Sequence, residues 1–346
     1  MSTLNLIIQT STLERLLFLG FLGFLLSMII TPFYTWMAFK WQWWKKPRTT
    51  AISGEKAVEF QKLHAKKHRR NIPTMAGLIM LASVLLVTVI FNLVREQTWL
   101  PLAAMVGAGL IGLLDDFINT KGNGTGVAGL RSKLKLALIS GVALVGGWWF
   151  FAKNDITAIH VPSVGLVTVG WLIIPLFVLV VVATANAVNI SDGLDGLAGG
   201  LLTSAFGAYA IIALIQQRYS VAAFCMTIVG ALLAYVWFNV YPARFFMGDV
   251  GSFALGTALG VVAMITDTLL LLPVIGFVFV ADTGSVIIQN ISKKFRNGKK
   301  IFRISPIHHH FEAIGWPETK VTMRFWIIGQ VCAVVGLLLA IVWGFV

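Results

Sequence analysis

The stretch VTVGWLIIPLFVLVVVATA, residues 167–185, contains no charged residue. A helix needs about 20 mainly apolar residues to cross the roughly 30 Å hydrocarbon core of a bilayer, so this stretch predicts a transmembrane helix. Similar runs occur at 13–39, 76–93, 134–151 and 321–346. The whole chain of 346 residues is 58% hydrophobic and 12% charged, whereas soluble domains have about 25% charged residues. The sequence therefore predicts an integral membrane protein.

Ten spans fit the sequence, and they predict an all-α polytopic membrane protein that forms one domain over residues 1–346. The predicted spans are 13–39, 75–94, 99–117, 133–152, 167–186, 197–216, 220–238, 250–266, 268–290 and 322–345. No small-residue cleavage site follows the first span, so we interpret it as a retained helix rather than a signal peptide. Residues 155–170 alternate β-branched residues around a Pro and a Gly, which predicts a small β-hairpin outside the membrane.

The net charge of +13 comes mainly from short loops on one side. All but four of the 27 Lys and Arg residues lie in or beside the loops that follow the odd-numbered spans; the exceptions are Arg15, Arg95, Lys153 and Arg218. Basic residues mark cytoplasmic loops, so both termini are predicted to lie outside. The five cytoplasmic loops are then about 40–74, 118–132, 187–196, 239–249 and 291–321. This distribution argues against nucleic-acid binding and favours contact with anionic lipid headgroups or an anionic substrate.

The two cysteines and several of the acidic residues need separate interpretation in a membrane protein. Cys225 and Cys332 lie inside predicted spans and are interpreted as small core residues, without a disulfide or metal site. Five aspartates fall in the predicted cytoplasmic loops or at their flanking helix ends: Asp115, Asp116, Asp192, Asp195 and Asp249. Asp282 alone lies deep within a predicted span, the ninth. One acid at a helix end is often a solvated cap, but five on one side indicate a site, because carboxylates near hydrocarbon are costly.

Three motifs carry these acids. In GLLDDF (112–117) the adjacent side chains point about 100° apart on a helix, which predicts two separate roles. In NISDGLDGLAGG (189–200) the two aspartates are three residues apart, and the glycines allow a ligand to approach closely. In FMGDVGSFALG (246–256) Asp249 stands at a helix start, where backbone N–H groups favour phosphate. A bound Mg²⁺ would reconcile this carboxylate with phosphate, because Mg²⁺ binds both.

Cations and histidines accompany the acids on the predicted cytoplasmic side. Counter-charge for a diphosphate is available from basic side chains at Arg69, Arg70, Lys121, Lys133 and Lys135. Most of these also satisfy the topology rule alone. The run PIHHHFE (306–312) offers His308, His309 and His310 either as transition-metal ligands or as hydrogen-bond partners of a substrate. Neighbouring side chains point in different directions, so hydrogen bonding to substrate is favoured.

Taken together, the blocks GLLDDF, NAVNISDGLDGLAGG, NVYPARFFMGDVGS and SPIHHHFE resemble the bacterial phospho-N-acetylmuramoyl-pentapeptide transferase family. The resemblance covers residues 64 to 312 in the same order. Enzymes of this superfamily move a sugar phosphate from a UDP-sugar to a polyprenyl phosphate. The resemblance implies UDP-N-acetylmuramoyl-pentapeptide and undecaprenyl phosphate as substrates, lipid I and UMP as products, and the bacterial inner membrane as the location. It also suggests a homodimer.

The resemblance further implies roles for individual residues. Asp249 is implied as the Mg²⁺ ligand, Asp115 and Asp116 as catalytic acids near the lipid phosphate, and Lys133 in GLRSKLKL as a catalytic-site lysine. Substrate-binding positions are implied for Arg69, Thr74, Lys121, Asn186, Asn189, Asp192, Asp195, Asn239, Phe246, His308, His309 and His310. One arm departs from the family: its K-x-G-T-P-T motif reads RRNIPT here, with Arg69 in place of the lysine. Arginine keeps the charge but binds phosphate as a planar fork.

Several alternatives stay open at the level of sequence. The preferred mechanism is a single displacement by the lipid phosphate, and its rival passes through a phospho-sugar intermediate on a carboxylate. A related N-acetylglucosamine-1-phosphate transferase would keep the aspartate blocks, but PTMAG together with PIHHHFE argues against it. A cation-coupled transporter would place its charges near the bilayer midplane, whereas only Asp282 is predicted there.

Overall fold

The computed structural model of the protein describes residues 3–44, 71–121 and 129–345. Predicted site residues Arg69 and Arg70 therefore lie outside the described residues, as do parts of the first two predicted cytoplasmic loops. The helices are α1 (Thr3–Lys40), α2 (Gly77–Phe91), α3 (Trp99–Lys121), α4 (Ser132–Ala152), α5 (Ile173–Ser191), α6 (Leu197–Ile215), α7 (Tyr219–Asn239), α8 (Gly248–Ile265), α9 (Leu272–Ile275), α10 (Phe277–Phe295), α11 (Ile307–Ala313) and α12 (Glu318–Val342). Short 3₁₀ turns at Gly170–Leu172 and Leu269–Leu271 precede α5 and α9.

Within these ranges, eight helices are long and apolar enough to cross a membrane, and they match eight of the ten predicted spans. The prediction of a helical polytopic membrane protein is thus confirmed at this level. The second predicted span is realised as α2, which has only 15 residues. The ninth, 268–290, is not one helix, because α9 and α10 meet at an angle of 83°. The count of ten spans and the orientation of the termini stay predictions.

The bend in the ninth span lies at Gly276, between α9 and α10. Sharp helix bends occur where glycine or proline interrupts the backbone ladder. A side chain at this position would come within 3.1 Å of the Leu272 carbonyl oxygen, so the conformation suits a residue without a Cβ. The interruption turns α10 away from the direction of α9. As a result, Asp282 on α10 does not lie in the middle of a straight span.

Helix α8 is the centre of the bundle, and every one of its residues except Asp249 is buried. Small residues let its neighbours approach closely, as is common between membrane helices. A side chain at Gly112 of α3 would overlap the Asp249 backbone, and one at Gly77 of α2 would overlap Gly251. A side chain at Gly256 would lie 2.8 Å from backbone atoms of α5. These contacts hold the start of α8 against the end of α3.

The predicted hairpin is confirmed. Strand β1 (Ala158–Val161) pairs antiparallel with β2 (Gly165–Thr168), with Val161 opposite Gly165. The carboxylate of Asp267, in the turn after α8, accepts a hydrogen bond of 3.0 Å from the backbone N–H of His160. The hairpin therefore lies at the end of the bundle where α8 finishes, opposite the end where α8 begins.

Candidate active site

The end of the bundle where α3 finishes and α8 begins carries three aspartates, which we call the carboxylate cluster. Asp115 and Asp116 lie near the end of α3, and Asp249 lies in the first turn of α8. Each offers one carboxylate oxygen, and these oxygens lie within 4.8 Å of one another. Asp115 and Asp116 are buried, and Asp249 is half-buried. In the part of the chain that the structure describes, no other group of acidic, histidine or cysteine side chains is arranged to hold a metal ion.

Lys135, in the first turn of α4, bridges two members of the cluster. Its Nζ donates hydrogen bonds to Asp115 Oδ2 at 2.9 Å and to Asp249 Oδ2 at 2.7 Å. Asp115 also accepts hydrogen bonds from the Asn119 amide at 3.0 Å and from the backbone N–H of Leu130 at 2.7 Å. The ammonium group between two carboxylates offsets their mutual repulsion, which is strong away from bulk water.

Asp116 has different partners from Asp115, because adjacent side chains on a helix point about 100° apart. Its Oδ2 accepts a hydrogen bond of 3.2 Å from the backbone N–H of Val250 in α8. Gly248 makes this approach feasible, because it has a φ of +74° and a side chain there would overlap the Asp116 carboxylate. The hydroxyl of Thr74 lies beside the same point, and it is buried with no hydrogen-bond partner among the described residues. A ligand oxygen at this point would satisfy that hydroxyl.

The donor set of the carboxylate cluster fits Mg²⁺. This ion prefers oxygen ligands, takes one or two carboxylates from the protein, and completes its shell with phosphate oxygens and water. The three carboxylates converge from α3 and α8, and the positive charge of Lys135 already lies between Asp115 and Asp249. The cluster thus already binds one cation, the ammonium group of Lys135, at the point where a divalent ion would be held.

The structure puts Lys135, and not Lys133, between the carboxylates. Residues two apart on a helix point roughly 200° apart, so only one of this pair can face α3 and α8. Lys133 is exposed. Lys121, at the end of α3, is also exposed, and its Nζ lies 4.2 Å from the centre of the Phe117 ring. Of Lys121, Lys133 and Lys135, only Lys135 bridges the carboxylates.

A second polar group, which we call the histidine group, consists of Asp282, His308, His309 and Glu312. Nδ1 of His308 donates to the Asp282 carboxylate at 3.0 Å, and both side chains are fully buried. Nδ1 of His309 lies 2.7 Å from a carboxylate oxygen of Glu312. Asp282, which was predicted within the ninth span, thus pairs with a histidine of α11. It lies beside α11 because of the bend at Gly276.

The ring nitrogens of the histidine group face the glycine-rich loop after α5. A Cβ at Gly193 would overlap Nε2 of His308 and lie 3.0 Å from Nε2 of His309. Nε2 of His308 is buried, and it has no hydrogen-bond partner within the described ranges. His310 points elsewhere: its Nδ1 accepts a hydrogen bond of 3.2 Å from the Arg303 backbone. The three histidines therefore do not converge, which excludes the three-histidine metal site.

The end of α5 joins the two groups. The Asn189 amide donates to the Ser252 hydroxyl of α8 at 2.9 Å, one helical turn from Asp249. Asp192 ends α5 and adjoins Gly193. Asn186, one turn earlier, donates to the Val182 carbonyl at 2.8 Å. Phe246 is half-buried immediately before α8. The end of α5 thus contacts α8 through Asn189 and adjoins, at Gly193, the histidine group.

Asp195 and Asn239, two predicted substrate-binding residues, form hydrogen bonds between the glycine-rich loop and the segment before α8. Asp195 is buried, and its carboxylate accepts a hydrogen bond of 3.0 Å from the backbone N–H of Ala243. Asn239 is also buried, accepting from the Gly196 N–H at 2.9 Å and donating to the Phe245 carbonyl at 2.8 Å. Side chains used in this way hold the glycine-rich loop against the segment before α8. The implied contact of these two side chains with the nucleotide stays a prediction.

Some residues of the site were not identified from the sequence. Asn119 lies one helical turn after Asp115, a spacing that signals a side-chain pair on one face of a helix. Glu312 follows His309 by three residues in a short helix, with the same signal. Glu318 accepts a hydrogen bond of 2.7 Å from the backbone N–H of Asp195 across 123 residues. No local pattern could have revealed this last contact.

The chain is similar to known proteins over most of its length. Residues 98–267 match the model of glycosyl transferase family 4. A phospho-N-acetylmuramoyl-pentapeptide-transferase of a Geobacillus species is 39% identical over 94% of this chain and 98% of its own length. The protein of that name from Bacillus licheniformis is also 39% identical, over 94% and 97%. The one from Chloroflexus aurantiacus is 42% identical, over 79% and 78%.

Two of these relatives align with 94% of this chain. Identity near 40% over almost the full length of both chains goes well beyond a shared fold. The resemblance found in the aspartate and histidine blocks is therefore confirmed by the whole chain. This chain is an enzyme of the phospho-N-acetylmuramoyl-pentapeptide-transferase family, within glycosyl transferase family 4.

Proposed function

We propose that the protein transfers phospho-N-acetylmuramoyl-pentapeptide from its UDP derivative to undecaprenyl phosphate, with UMP and lipid I as products. An oxygen of the lipid phosphate forms a bond to the β-phosphorus of the UDP-sugar. The bond between that phosphorus and the bridging oxygen breaks, and UMP leaves. The reaction would supply the lipid-linked precursor of peptidoglycan. The observation that carries the proposal is the carboxylate cluster, bridged by Lys135, at one end of an apolar helix bundle.

The charged groups at this end of the bundle suit a site where the diphosphate of the UDP-sugar meets the phosphate monoester of the lipid. When bound, Mg²⁺ neutralises charge on the diphosphate oxygens, and Asp249 with its neighbours Asp115 and Asp116 would hold it. Lys135 lies close enough to both helices to donate hydrogen bonds to phosphate oxygens when it exchanges one carboxylate for them. Thr74 supplies a buried hydroxyl beside Asp116 that has no hydrogen-bond partner among the described residues.

A single displacement agrees best with the environment of Asp115. Both of its oxygens accept hydrogen bonds, and one of them also faces the Lys135 ammonium group. A carboxylate with three donors is a poor nucleophile, because attack on phosphorus would require it to give up these interactions. The lipid phosphate needs little help from a base, since its second pKa near 6 leaves it mostly deprotonated at neutral pH. Asp115 then acts by positioning Lys135.

The histidine group is suited to hold the sugar-phosphate side of the donor. Asp282 orients His308 so that Nε2 faces Gly193, and Glu312 does the same for His309. In the tautomer that donates from Nδ1, Nε2 of His308 accepts a hydrogen bond from a sugar hydroxyl or amide; when protonated, it donates to a phosphate oxygen. Asn186, Asn189, Asp192 and Phe246 lie between this group and the carboxylate cluster, where the nucleotide would extend.

We place the end of the bundle with the carboxylate cluster at the cytoplasmic face of the bacterial inner membrane. Nucleotide sugars are made in the cytoplasm, and the basic loops at 293–303 and 131–135 adjoin this end. The excess of basic residues in short loops on one side follows the rule for cytoplasmic loops. A homodimer stays a prediction, which the mass of the protein in detergent would test.

The decisive test is UMP release by the purified protein in detergent. Release should require UDP-N-acetylmuramoyl-pentapeptide, undecaprenyl phosphate and Mg²⁺ together, and omission of any one should abolish it. The matched comparison uses UDP-N-acetylglucosamine in place of the muramoyl donor. A preference for UDP-N-acetylglucosamine would reject the muramoyl assignment, and release without a polyprenyl phosphate would reject the lipid as acceptor.

A further inference from the structure

Helix α12 carries three polar side chains, Glu318, Thr322 and Trp326, at intervals of four residues along its first half. Residues at this spacing lie on one face of a helix, and we call these three the α12 ladder. Thr322 is buried, and Glu318 and Trp326 are half-buried. Because α12 is apolar enough overall to cross a membrane, polar groups along one of its faces need partners inside the protein.

Each side chain of the α12 ladder binds the backbone of the glycine-rich loop after α5. Glu318 Oε1 accepts a hydrogen bond of 2.7 Å from the N–H of Asp195. The Thr322 hydroxyl donates to the carbonyl oxygen of the same residue at 3.2 Å. Nε1 of Trp326 donates to the carbonyl oxygen of Gly196 at 3.1 Å. One helix face therefore fixes three consecutive peptide groups of the loop.

The same part of the loop is also held by α7 and by the shape of the Trp326 ring. Asn239, at the end of α7, accepts a hydrogen bond of 2.9 Å from the N–H of Gly196. Gly196 has a φ of +78°, which favours glycine, and a side chain there would come within 3.2 Å of the Trp326 indole. One turn later, a side chain at Gly200 would overlap the same ring. The loop therefore cannot shift relative to α12 without losing hydrogen bonds to two helices.

Helix α12 is packed against α11, which carries the two histidines of the histidine group. The ring of Phe311 in α11 stacks on Trp316 with the centroids 4.8 Å apart, and it meets Phe325 of α12 edge-on at 5.9 Å. The Nε2 atoms of both histidines approach the loop at Gly193. Helices α11 and α12 thus contact the same loop at two places only two residues apart, at Gly193 and at Asp195.

We propose that the α12 ladder positions the glycine-rich loop relative to the histidine group, and that this spacing determines how tightly the UDP-sugar is bound. This inference rests on the proposed function, because it takes the donor substrate to be a UDP-sugar. Glu318, Thr322 and Trp326 are positioning residues, since they act through the backbone of Asp195 and Gly196. The ladder acts on the donor, whereas Mg²⁺ and the lipid phosphate are assigned to the carboxylate cluster.

Thr322→Val tests the ladder, because valine keeps nearly the shape of threonine and removes the hydroxyl donor. The KM for UDP-N-acetylmuramoyl-pentapeptide should rise about tenfold, since the Asp195 carbonyl loses this partner. The KM for undecaprenyl phosphate and the Mg²⁺ dependence should stay those of the wild type. Thr322→Ser restores the hydroxyl and should return the donor KM to within about twofold of the wild type.

Thr227→Val is the matched control. Thr227 is also buried in an apolar helix, and its hydroxyl also donates to a backbone carbonyl, that of Ala223 within α7 itself. A purely structural role would lower the melting temperature and the amount of active protein, which reduces kcat but changes neither KM. An unchanged donor KM in Thr322→Val, a rise that Thr322→Ser does not reverse, or an equal rise in Thr227→Val would therefore overturn the proposal.

Trp326→Phe provides a second test if Thr322→Val does not fold. It removes the Nε1–H donor to the Gly196 carbonyl and keeps an aromatic ring beside Gly200. Calorimetric titration with UDP-N-acetylmuramoyl-pentapeptide, without the acceptor lipid, should show binding about tenfold weaker than that of the wild type. Wild-type affinity in Trp326→Phe would overturn the proposal. Wild-type protein that binds the UDP-sugar but releases no UMP would instead reject the proposed function.

Discussion

Asp282 and His308 form a fully buried pair, in which Nδ1 of the imidazole donates to the carboxylate at 3.0 Å. The backbone N–H of His308 also points to the second oxygen of Asp282, at 3.4 Å. An aspartate on a mainly apolar helix thus sets the direction of a histidine on α11. Because the other ring nitrogen faces Gly193, the pair controls what the glycine-rich loop presents to a substrate.

Asp282→Asn should lower kcat/KM about ten- to a hundredfold, because it replaces a charge-assisted hydrogen bond of roughly 1.5–3 kcal/mol. Its dependence on Mg²⁺ concentration should stay that of the wild type, since the carboxylate cluster is intact. Asp267→Asn is the matched control, as Asp267 also accepts a hydrogen bond but lies at the opposite end of α8. Full activity in Asp282→Asn, or equal loss in both variants, would contradict a positioning role.

Asp249→Asn should abolish detectable turnover at all practical Mg²⁺ concentrations. An amide is a weaker ligand for a hard cation and lacks the charge of the carboxylate. Binding of Mg²⁺ to the folded state should also raise the melting temperature of the wild type in detergent, by mass action. The same titration on Asp249→Asn should give no rise. A rise of equal size in both proteins would show that the ion binds elsewhere.

Lys135→Met should reduce kcat at least about a hundredfold, whereas Lys133→Met should stay within about threefold of the wild type. The first change leaves a buried carboxylate, Asp115, and a half-buried one, Asp249, without their shared ammonium group, which costs several kcal/mol. The second removes an exposed charge, whose contribution is small. Steady-state UMP release by both variants gives the comparison. Similar activities in the two variants would mean that the bridge has no catalytic role.

Asp267 should make the protein less stable as the pH rises. Burial raises the pKa of Asp267 above its usual value, despite the opposing hydrogen bond from His160 and the charges of His160 and Arg218. The folded state then binds more protons than the unfolded state between the usual pKa of 3.8 and the raised value, so stability falls through that window. Asp267→Asn should therefore unfold at a higher temperature than the wild type at pH 7. At a pH below 3.8, that advantage should disappear.

A cysteine at Lys153 and one at Asn297 should react with a membrane-impermeant thiol reagent from opposite sides. Lys153 follows α4 at the end that carries the hairpin, and Asn297 follows α10 in the basic segment. In sealed right-side-out cells, Lys153→Cys should be labelled and Asn297→Cys protected until the membrane is broken. The native Cys225 is buried and serves as an unlabelled background. Labelling of both positions in intact cells would contradict the orientation.

The apolar runs predicted most of the fold, because eight of them form helices that are long and apolar enough to cross a membrane. The β-branched alternation likewise predicted the hairpin at 158–168. The bend at Gly276 could not be predicted, because glycine is also common in membrane helices. What distinguishes Gly276 is the close Leu272 carbonyl, which depends on tertiary packing.

The carboxylate cluster could be predicted as a set, because Asp115, Asp116 and Asp249 all fall where apolar runs end. The lysine of the cluster could not be predicted. Which of Lys133 and Lys135 faces the aspartates depends on where α4 begins, and that start is not evident in GLRSKLKL. The inward orientation of Asp195 towards Ala243 was also hidden, because a backbone partner 48 residues away leaves no local pattern. The partner of Asp282 was hidden for the same reason, because His308 lies 26 residues away.

The carboxylate cluster is built from residues that are far apart in the sequence, so it cannot form until late in synthesis of the chain. The backbone N–H that Asp116 accepts belongs to Val250, which the ribosome adds 134 residues later. Helix α3 must therefore enter the membrane with acidic side chains whose partners do not yet exist. Insertion of an aspartate at the centre of a helix costs about 2.5–3.5 kcal/mol. Because the two aspartates lie near the end of α3, which finishes at Lys121, rather than at its centre, this cost is reduced until α8 is made.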